Sequence, residues 1–441
     1  MAIDNLIILH LTITFNDRFM YKEVLKKIIV EGQRILTKIE AVERDFVFEP
    51  NARYVFVGVR QAGKSYELYI RAKQLLNQGH SPEEMLFVNF DDERLSGMQS
   101  FDLDQILQAY SSLYSYEPII FLDEIQNIDG WEKFARRLAN QKYQTYITGS
   151  NAKMLSRDIA TTLGARYIEQ YVFPYSFKEF LHANNILLSA NWEYDAEITG
   201  VVERKLSEYF EWGGFPEVLK FIEKRKWLNE LYEKIVLADI IARNKIKNEK
   251  AIRTTFRRLA ENIKNPTSYN RLMNMVKATG ISTNTTSVME YVRMAIDACF
   301  LFTLTNYASK FVERETVKKH YFIDNGLLNI FLVDSETSLF ENICALKLYR
   351  DMMENPDEKV YFYNKEVEID FYIHERKHAI QACYSLKEYA TELREVKAIE
   401  TFYNLYGLNS AEIVTYSEER EIELPSLTIK VMPLAKWLLK K

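Results

Sequence analysis

Short apolar runs closed by turn residues alternate with amphipathic stretches along the first third of the chain. Tyr54-Val55-Phe56-Val57, Met85-Leu86-Phe87-Val88-Asn89-Phe90, Ile119-Ile120-Phe121-Leu122 and Gln144-Thr145-Tyr146-Ile147 read as strands. After the first of them, Leu68, Ala72, Leu75 and Leu76 fall on one face of a helix. Strands alternating with helices predict an α/β core over 49–178, preceded by a helical segment over 20–48. From 179 to 245 the pattern is helical, with one interruption at Trp212-Gly213-Gly214-Phe215-Pro216. That turn, with its aromatic flanks, predicts a small helical lid packed against the core.

In 246–334, Ile252, Phe256, Leu259 and Ile263 share one buried helical face. Pro266 and Ser268 open a second helix through Met273 and Val276, Gly280 makes a turn, and Asn284 to Ala298 form a third helix. Phe300-Leu301-Phe302-Thr303-Leu304 and His320-Tyr321-Phe322-Ile323 then read as two strands. Three helices followed by two strands predict a winged-helix domain with the third helix in the recognition position. That helix carries one Arg and two acids, a weak set for phosphate contact. The stretch 243–264 is more basic, with Arg243, Lys245, Lys247, Lys250, Arg253, Arg257, Arg258 and Lys264 against Glu249 and Glu261. A solvated helix face and a nucleic-acid surface both explain it.

Composition narrows the classes. A length of 441 residues gives a prior of about three domains. At 47% hydrophobic and 27% charged, with only 14 Gly and 9 Pro, the chain is neither disordered nor of low complexity. A net charge of −5 argues against a basic coat for bulk nucleic-acid binding and leaves a local patch open. Cys299, Cys344 and Cys383 lie far apart without CxxC spacing, which excludes a disulfide framework and fits a reducing cytoplasm. No apolar run approaches about 18 residues, so no membrane span is expected. The apolar start lacks a basic region and a cleavage site, so it is a poor signal peptide. A start at Met20, leaving 1–19 untranslated, is expected as readily as one at Met1.

Candidate chemistry begins directly after the first strand. Gly58-Val59-Arg60-Gln61-Ala62-Gly63-Lys64-Ser65 matches GxxxxGK[ST] between a strand and a helix, the setting a P-loop requires. Gly58 and Gly63 let backbone N–H groups close around phosphate oxygens, and the helix N-terminus adds its positive end. Lys64 is expected to reach the β- and γ-phosphates of ATP, and Ser65 to ligate Mg²⁺. The buried run ending in Asp123-Glu124 suits a Walker B strand. Asp123 would hold Mg²⁺ through Ser65 and water, and Glu124 would act as general base on the attacking water. The strand at 85–90, lying between the two motifs, and a Glu following the Asp point to the ATPase branch that keeps its catalytic glutamate in the sheet. After the fourth strand, Ser150 and Asn151 are candidate γ-phosphate sensors; a plain helix cap explains the same residues. The acidic turn Asp91-Asp92-Glu93 reads as solvated.

These residues resemble a family of AAA-type P-loop ATPases whose C-terminal domain, of unknown function, looks like a restriction endonuclease. The matching segments are Val57 to Ser65, Phe121-Leu122-Asp123-Glu124-Ile125-Gln126-Asn127-Ile128-Asp129-Gly130-Trp131-Glu132 and Thr148-Gly149-Ser150-Asn151. Downstream they are Val172-Phe173-Pro174-Tyr175-Ser176-Phe177-Lys178-Glu179-Phe180 and Trp212-Gly213-Gly214-Phe215-Pro216-Glu217-Val218. The resemblance runs from about Met20 to Lys441 and implies ATP binding and hydrolysis. It also implies an arginine after the sensor strand, a position held by Arg166 in Leu163-Gly164-Ala165-Arg166. Arg166, or Arg157 as second candidate, would stabilise transition-state charge in a neighbouring subunit; an ordinary salt-bridge arginine is the competing reading.

Residues 335–441 resemble the endonuclease-like core, with Glu341 on a helix, Asp370 on one strand and Ile380-Gln381-Ala382-Cys383 on another. A two-metal nuclease needs Asp, then Glu-x-Lys. Gln381 stands at the Glu position and Cys383 at the Lys position, so the domain is expected to be inactive as a nuclease. His374 and His378 sit near a hairpin turn, a poor setting for zinc. The chain therefore reads as a cytoplasmic Mg²⁺-dependent ATPase that moves a winged-helix and a nuclease-like domain. DNA or a nucleoprotein, a protein partner on the C-terminal domain and a homo-oligomer are all open partners. The alternative is a nucleotide-gated signalling or scaffold protein with slow turnover.

Overall fold

The computed structural model describes residues 21–42, 44, 46–150, 161–308 and 310–440. It divides the chain into two units, Met1–Val172 and Phe173–Lys441. In the first unit, helix α1 (21–38) buries Leu25, Ile28, Ile29 and Leu36. The strands are β1 (Tyr54–Val57), β2 (Met85–Asn89), β3 (Ile119–Asp123), β4 (Thr145–Gly149) and β5 (Ile168–Tyr171). All pair in parallel in the order β2-β3-β4-β1-β5. Every side chain of β1, β3 and β4 is buried, as expected of interior strands covered on both faces. The strand lying between β1 and β3 is β4, whereas β2, the extra strand of the sequence pattern, is at the edge beyond β3. Helix α2 (Lys64–Asn77) buries Leu68, Ala72 and Leu75, three of its four predicted face positions, and Leu76 is half-buried. Helices α3 (Asp104–Ser111) and α4 (Trp131–Asn140) also belong to this unit. Because the strands are parallel, the carboxyl ends of β1, β3 and β4 meet at one edge of the sheet, where open α/β sheets place their ligands.

In the second unit, α5 (Phe177–Ala183) starts at a capping box of Ser176 and Glu179, and α6 (Ala196–Trp212) at Asp195. Gly213 ends α6 at φ 75°. The Gly214 N–H then donates to Asp324 Oδ2 at 2.7 Å. A Cβ on Gly213 would run into the Asp324 carboxylate. Asn325 and Asn329 donate to the Phe210 and Glu211 carbonyls at 3.0 Å each. The Trp212–Pro216 turn thus docks on Asp324 and the short helix after it, inside the second unit.

Helix α7 (Lys224–Lys234) continues into a π-helical stretch, Ile235–Ala242. Helices α8 (Glu249–Glu261), α9 (Tyr269–Lys277) and α10 (Thr285–Asp297) pack on one another. Strands β7 (Leu301–Asn306) and β8 (Val317–Phe322) pair antiparallel, with the short β6 (Thr267–Ser268) on β8. The expected boundary at 334/335 does not separate two sheets. Strand β7 also pairs in parallel with β9 (Val360–Asn364), joining a nine-stranded sheet in the order β13-β14-β12-β11-β10-β9-β7-β8-β6. Its other members are β10 (Glu368–Ile373), β11 (His378–Ala382), β12 (Ser410–Thr415), β13 (Arg420–Glu423) and β14 (Thr428–Pro433). The short helix α11 (Asn325–Asn329), the long α12 (Glu336–Glu354) and α13 (Tyr389–Tyr406) belong to this unit. Ile369, Tyr372, Ile399, Phe402, Ile413 and Val431 are central in the core around β10 to β14. Among the described residues, no helix is long and apolar enough to cross a membrane.

Candidate nucleotide site

The loop between β1 and α2 closes tightly. Gly58 lies against β5, so that a Cβ there would strike the Val172 carbonyl oxygen. Gln61 and Gly63 take left-handed φ values of 63° and 103°. The Ala62 N–H bonds the Val59 carbonyl at 3.2 Å, and the Tyr66 N–H bonds that of Gly63 at 2.9 Å. This curl leads into the N-terminus of the 14-residue helix α2, the geometry of an anion-binding nest. Val59 and Ala62 are buried, Arg60 is half-buried and Gln61 is exposed at the tip.

Lys64 is 3% exposed. Its Nζ donates to the Val59 carbonyl at 3.1 Å and lies 3.8 Å from Glu124 Oε1. Ser65 Oγ donates to Asp123 Oδ1 at 3.0 Å, and Thr148 Oγ1 donates to the same oxygen at 2.5 Å. Thr148 Oγ1 in turn accepts from the Glu124 N–H at 2.9 Å. Burial pushes the Asp123 carboxyl up to about 6, against the downward pull of its bonds from Thr148 and Ser65. Glu124 sits just past β3 at φ 51°, and Gln126 Nε2 reaches both Glu124 Oε2 at 2.5 Å and Ser150 Oγ at 3.3 Å. Lys64, Ser65, Asp123, Glu124 and Ser150 therefore meet at the carboxyl edge of the sheet.

Three members of this network carry no motif signal of their own. Thr148 lies two residues before the first expected sensor position, Ser150, and its role follows from β4 lying beside β3. Gln126 follows Glu124 by two residues in the quoted Walker B segment. Arg44 lies ahead of β1; its Nη2 donates to the Ala62 carbonyl at 2.6 Å and its Nε pairs with the buried Glu67 at 3.1 Å. That contact braces the loop from outside the motif.

Other expected residues lie elsewhere. Arg166 bonds Asn140 Oδ1 at 2.7 Å and the Leu163 and Gly164 carbonyls at 3.2 and 3.1 Å, away from Lys64 and Asp123 of its own chain. Asn151 and Arg157 lie outside the described residues. The acidic turn at 91–93 is tied in, with Asp91 accepting from Asn127 at 2.7 Å and Asp92 pairing with Arg94. In the basic stretch, Arg253 makes two 2.7 Å bonds to Glu233, Arg258 pairs with Glu261 at 2.6 Å, and Arg243 lies 3.4 Å from Asp239. His374 Nδ1 is 3.0 Å from the Tyr307 hydroxyl and His378 Nδ1 is 2.7 Å from the Ser410 hydroxyl, so the two do not converge.

The donor set fits the groups the motif implies. A buried carboxylate and a serine hydroxyl offer hard oxygens to Mg²⁺, and the Gly63 nest with Lys64 offers cationic and N–H groups to a polyphosphate.

Known families match two separate stretches of the chain. Residues 51–181 match a family model described as an AAA domain, and residues 203–338 match a domain of unknown function, DUF8612. Residues 51–181 are thus an AAA-type P-loop domain. An uncharacterized protein of Methanocaldococcus jannaschii, MJ1544, is 31% identical over 432 residues, covering 95% of this chain and 96% of the relative. An uncharacterized protein of Haemophilus influenzae is 28% identical over 400 residues, covering 88% and 94%. Among solved structures, ORC1 of Aeropyrum pernix in complex with DNA aligns with TM-score 0.29 and 13% identity, covering 74% of this chain and 94% of that one. AMPPCP-bound DnaA of Aquifex aeolicus aligns with TM-score 0.25 and 15% identity, covering 62% and 86%. Likenesses that weak carry nothing about this chain's ligands.

Proposed function

Because this chain belongs to the family of MJ1544 and folds its residues 51–181 as an AAA domain, we propose that it binds ATP and hydrolyses it at the edge of the first sheet. The observation that carries this reading is the single network running from Ser65 through Asp123 and Thr148 to the Glu124 backbone, with Lys64 3.8 Å from the Glu124 carboxylate.

Gly58 to Ser65 wrap the phosphates, and Lys64 exchanges its Val59 contact for the β- and γ-phosphate oxygens. Ser65 and Asp123 hold Mg²⁺, which neutralises charge on the phosphates when bound. Thr148 keeps the Asp123 carboxylate turned toward Ser65. Glu124, steadied by Gln126, takes the proton from the attacking water, and Ser150 reports the γ-phosphate through that same glutamine. Arg166 is proposed to act on the nucleotide of a neighbouring copy, because its own site lies elsewhere.

Hydrolysis is proposed to gate the second unit. Arg243, Arg253 and Arg258 are ion-paired, whereas Lys245, Lys247, Lys250 and Arg257 of the same stretch are exposed, so DNA and a protein partner both fit this surface. Glu124→Gln is the test. It should hold ATP as the wild type does while phosphate release falls by about a hundredfold or more. Material co-purifying with this trapped form identifies the partner class. Equal turnover in wild type and variant contradicts the role of Glu124. Binding without turnover in the wild type would instead favour nucleotide-gated partner binding.

A further inference from the structure

Lys319, on β8, has no exposed side-chain surface. Its Nζ lies 3.0 Å from Glu341 on α12, and 3.3 Å each from Glu368 and Asp370 on β10. Tyr321, on the same strand, donates to the same Glu341 oxygen at 2.8 Å. Glu341 and Asp370 are two of the groups that the endonuclease resemblance would assign to metal binding. An ammonium therefore stands where their carboxylates converge. Among the described residues, no group of three or more His, Cys, Asp or Glu side chains is arranged to hold a metal ion.

Gln381 fits this arrangement rather than a metal site. Its Oε1 accepts from the Asp370 N–H at 2.8 Å, and its Nε2 donates to the Glu368 carbonyl at 3.1 Å and to Glu395 at 2.8 Å. A glutamate there would lose both donations and face Glu395 with like charge. The second Asp370 oxygen accepts from the Ala382 N–H at 3.0 Å. Cys383 is buried and bonds the Ser385 carbonyl at 3.3 Å, so it offers the cluster no cation.

We propose that Lys319 is a permanent internal cation occupying the place of a nuclease metal, and that the cluster is a metal-free joint tying β8 and α12 to β10. Burial alone would lower the Lys319 pKa, but Glu341, Asp370 and Glu368 outweigh it, and the net shift is upward. The ammonium therefore stays charged across the physiological range. Without it, three carboxylates would face one another, and the cluster would need a divalent cation in its stead.

Lys319→Met in the full chain tests this, with Mn²⁺ as probe and the difference from wild type as readout, since the first unit is common to both. The variant should melt about 10 °C lower without metal and regain several degrees in millimolar Mn²⁺ that the wild type does not gain. Lys319→Met with Glu341→Gln covers the case in which the single variant does not fold. Removing one carboxylate should then restore a cooperative transition. An Mn²⁺-insensitive single variant, or a double variant no more stable than the single, overturns the proposal. So does metal-dependent DNA cleavage by the wild type that Lys319→Met abolishes.

Discussion

Asp123 closes β3 with 1% of its surface exposed, and it accepts from two hydroxyls of different origin. Ser65 comes with the P-loop; Thr148 comes from the neighbouring strand. Thr148→Val removes a bond to a carboxylate and leaves the Glu124 N–H without its acceptor, so turnover should fall about tenfold or more while the protein stays folded. Thr148→Ser should recover most of the rate; a valine variant with unchanged kcat would mean that Asp123 does not need this hold. The P-loop and the Asp-Glu pair were legible in the sequence because phosphate and Mg²⁺ chemistry demand particular residue types at fixed spacing. Thr148, Gln126 and Arg44 were not, because their roles follow from which strand and segment lie beside β3 and the loop.

The strands and α2 were legible for a similar reason: four apolar runs and one 3.6-residue stripe mark them directly. Their order was not, since an apolar run says that a strand is buried and not which strand it pairs with. In the sheet β4 lies between β1 and β3, and β2 is at the edge. The Trp212–Pro216 turn has the same lesson in its partner. Asp324 accepts from the Gly214, Gly326 and Leu327 N–H groups, capping α11 and holding the turn. Burial pushes its carboxyl up to about 6 despite those three bonds. A carboxyl raised above its unfolded value of about 4 favours the protonated fold. Its contribution is therefore full below pH 4 and is lost as pH rises through 6, by up to about 3 kcal/mol. Unfolding measured against pH should show the stability gap between wild type and Asp324→Asn narrowing over that window. A gap independent of pH would contradict the shift.

The chain falls into two units, Met1–Val172 and Phe173–Lys441. The β7–β9 pairing and the Lys319 cluster make one sheet and one joint of segments that read as winged helix and endonuclease. Long-range pairing of that kind leaves no local signature, which is why the boundary at 334/335 looked natural. In the first unit, Arg166 bonds Asn140 and the Leu163 and Gly164 carbonyls. If it serves a neighbour, turnover per chain should rise with protein concentration, and Arg166→Ala should flatten that rise. A flat profile in the wild type removes the role.

The proposed hydrolysis depends on ATP seated over Lys64. Calorimetric titration of the full chain with ATP and Mg²⁺ measures this directly. The wild type should bind one nucleotide per chain, and Lys64→Ala, which removes the cation facing the phosphates, should lose binding. No binding to the wild type, or equal binding to the alanine variant, would contradict it.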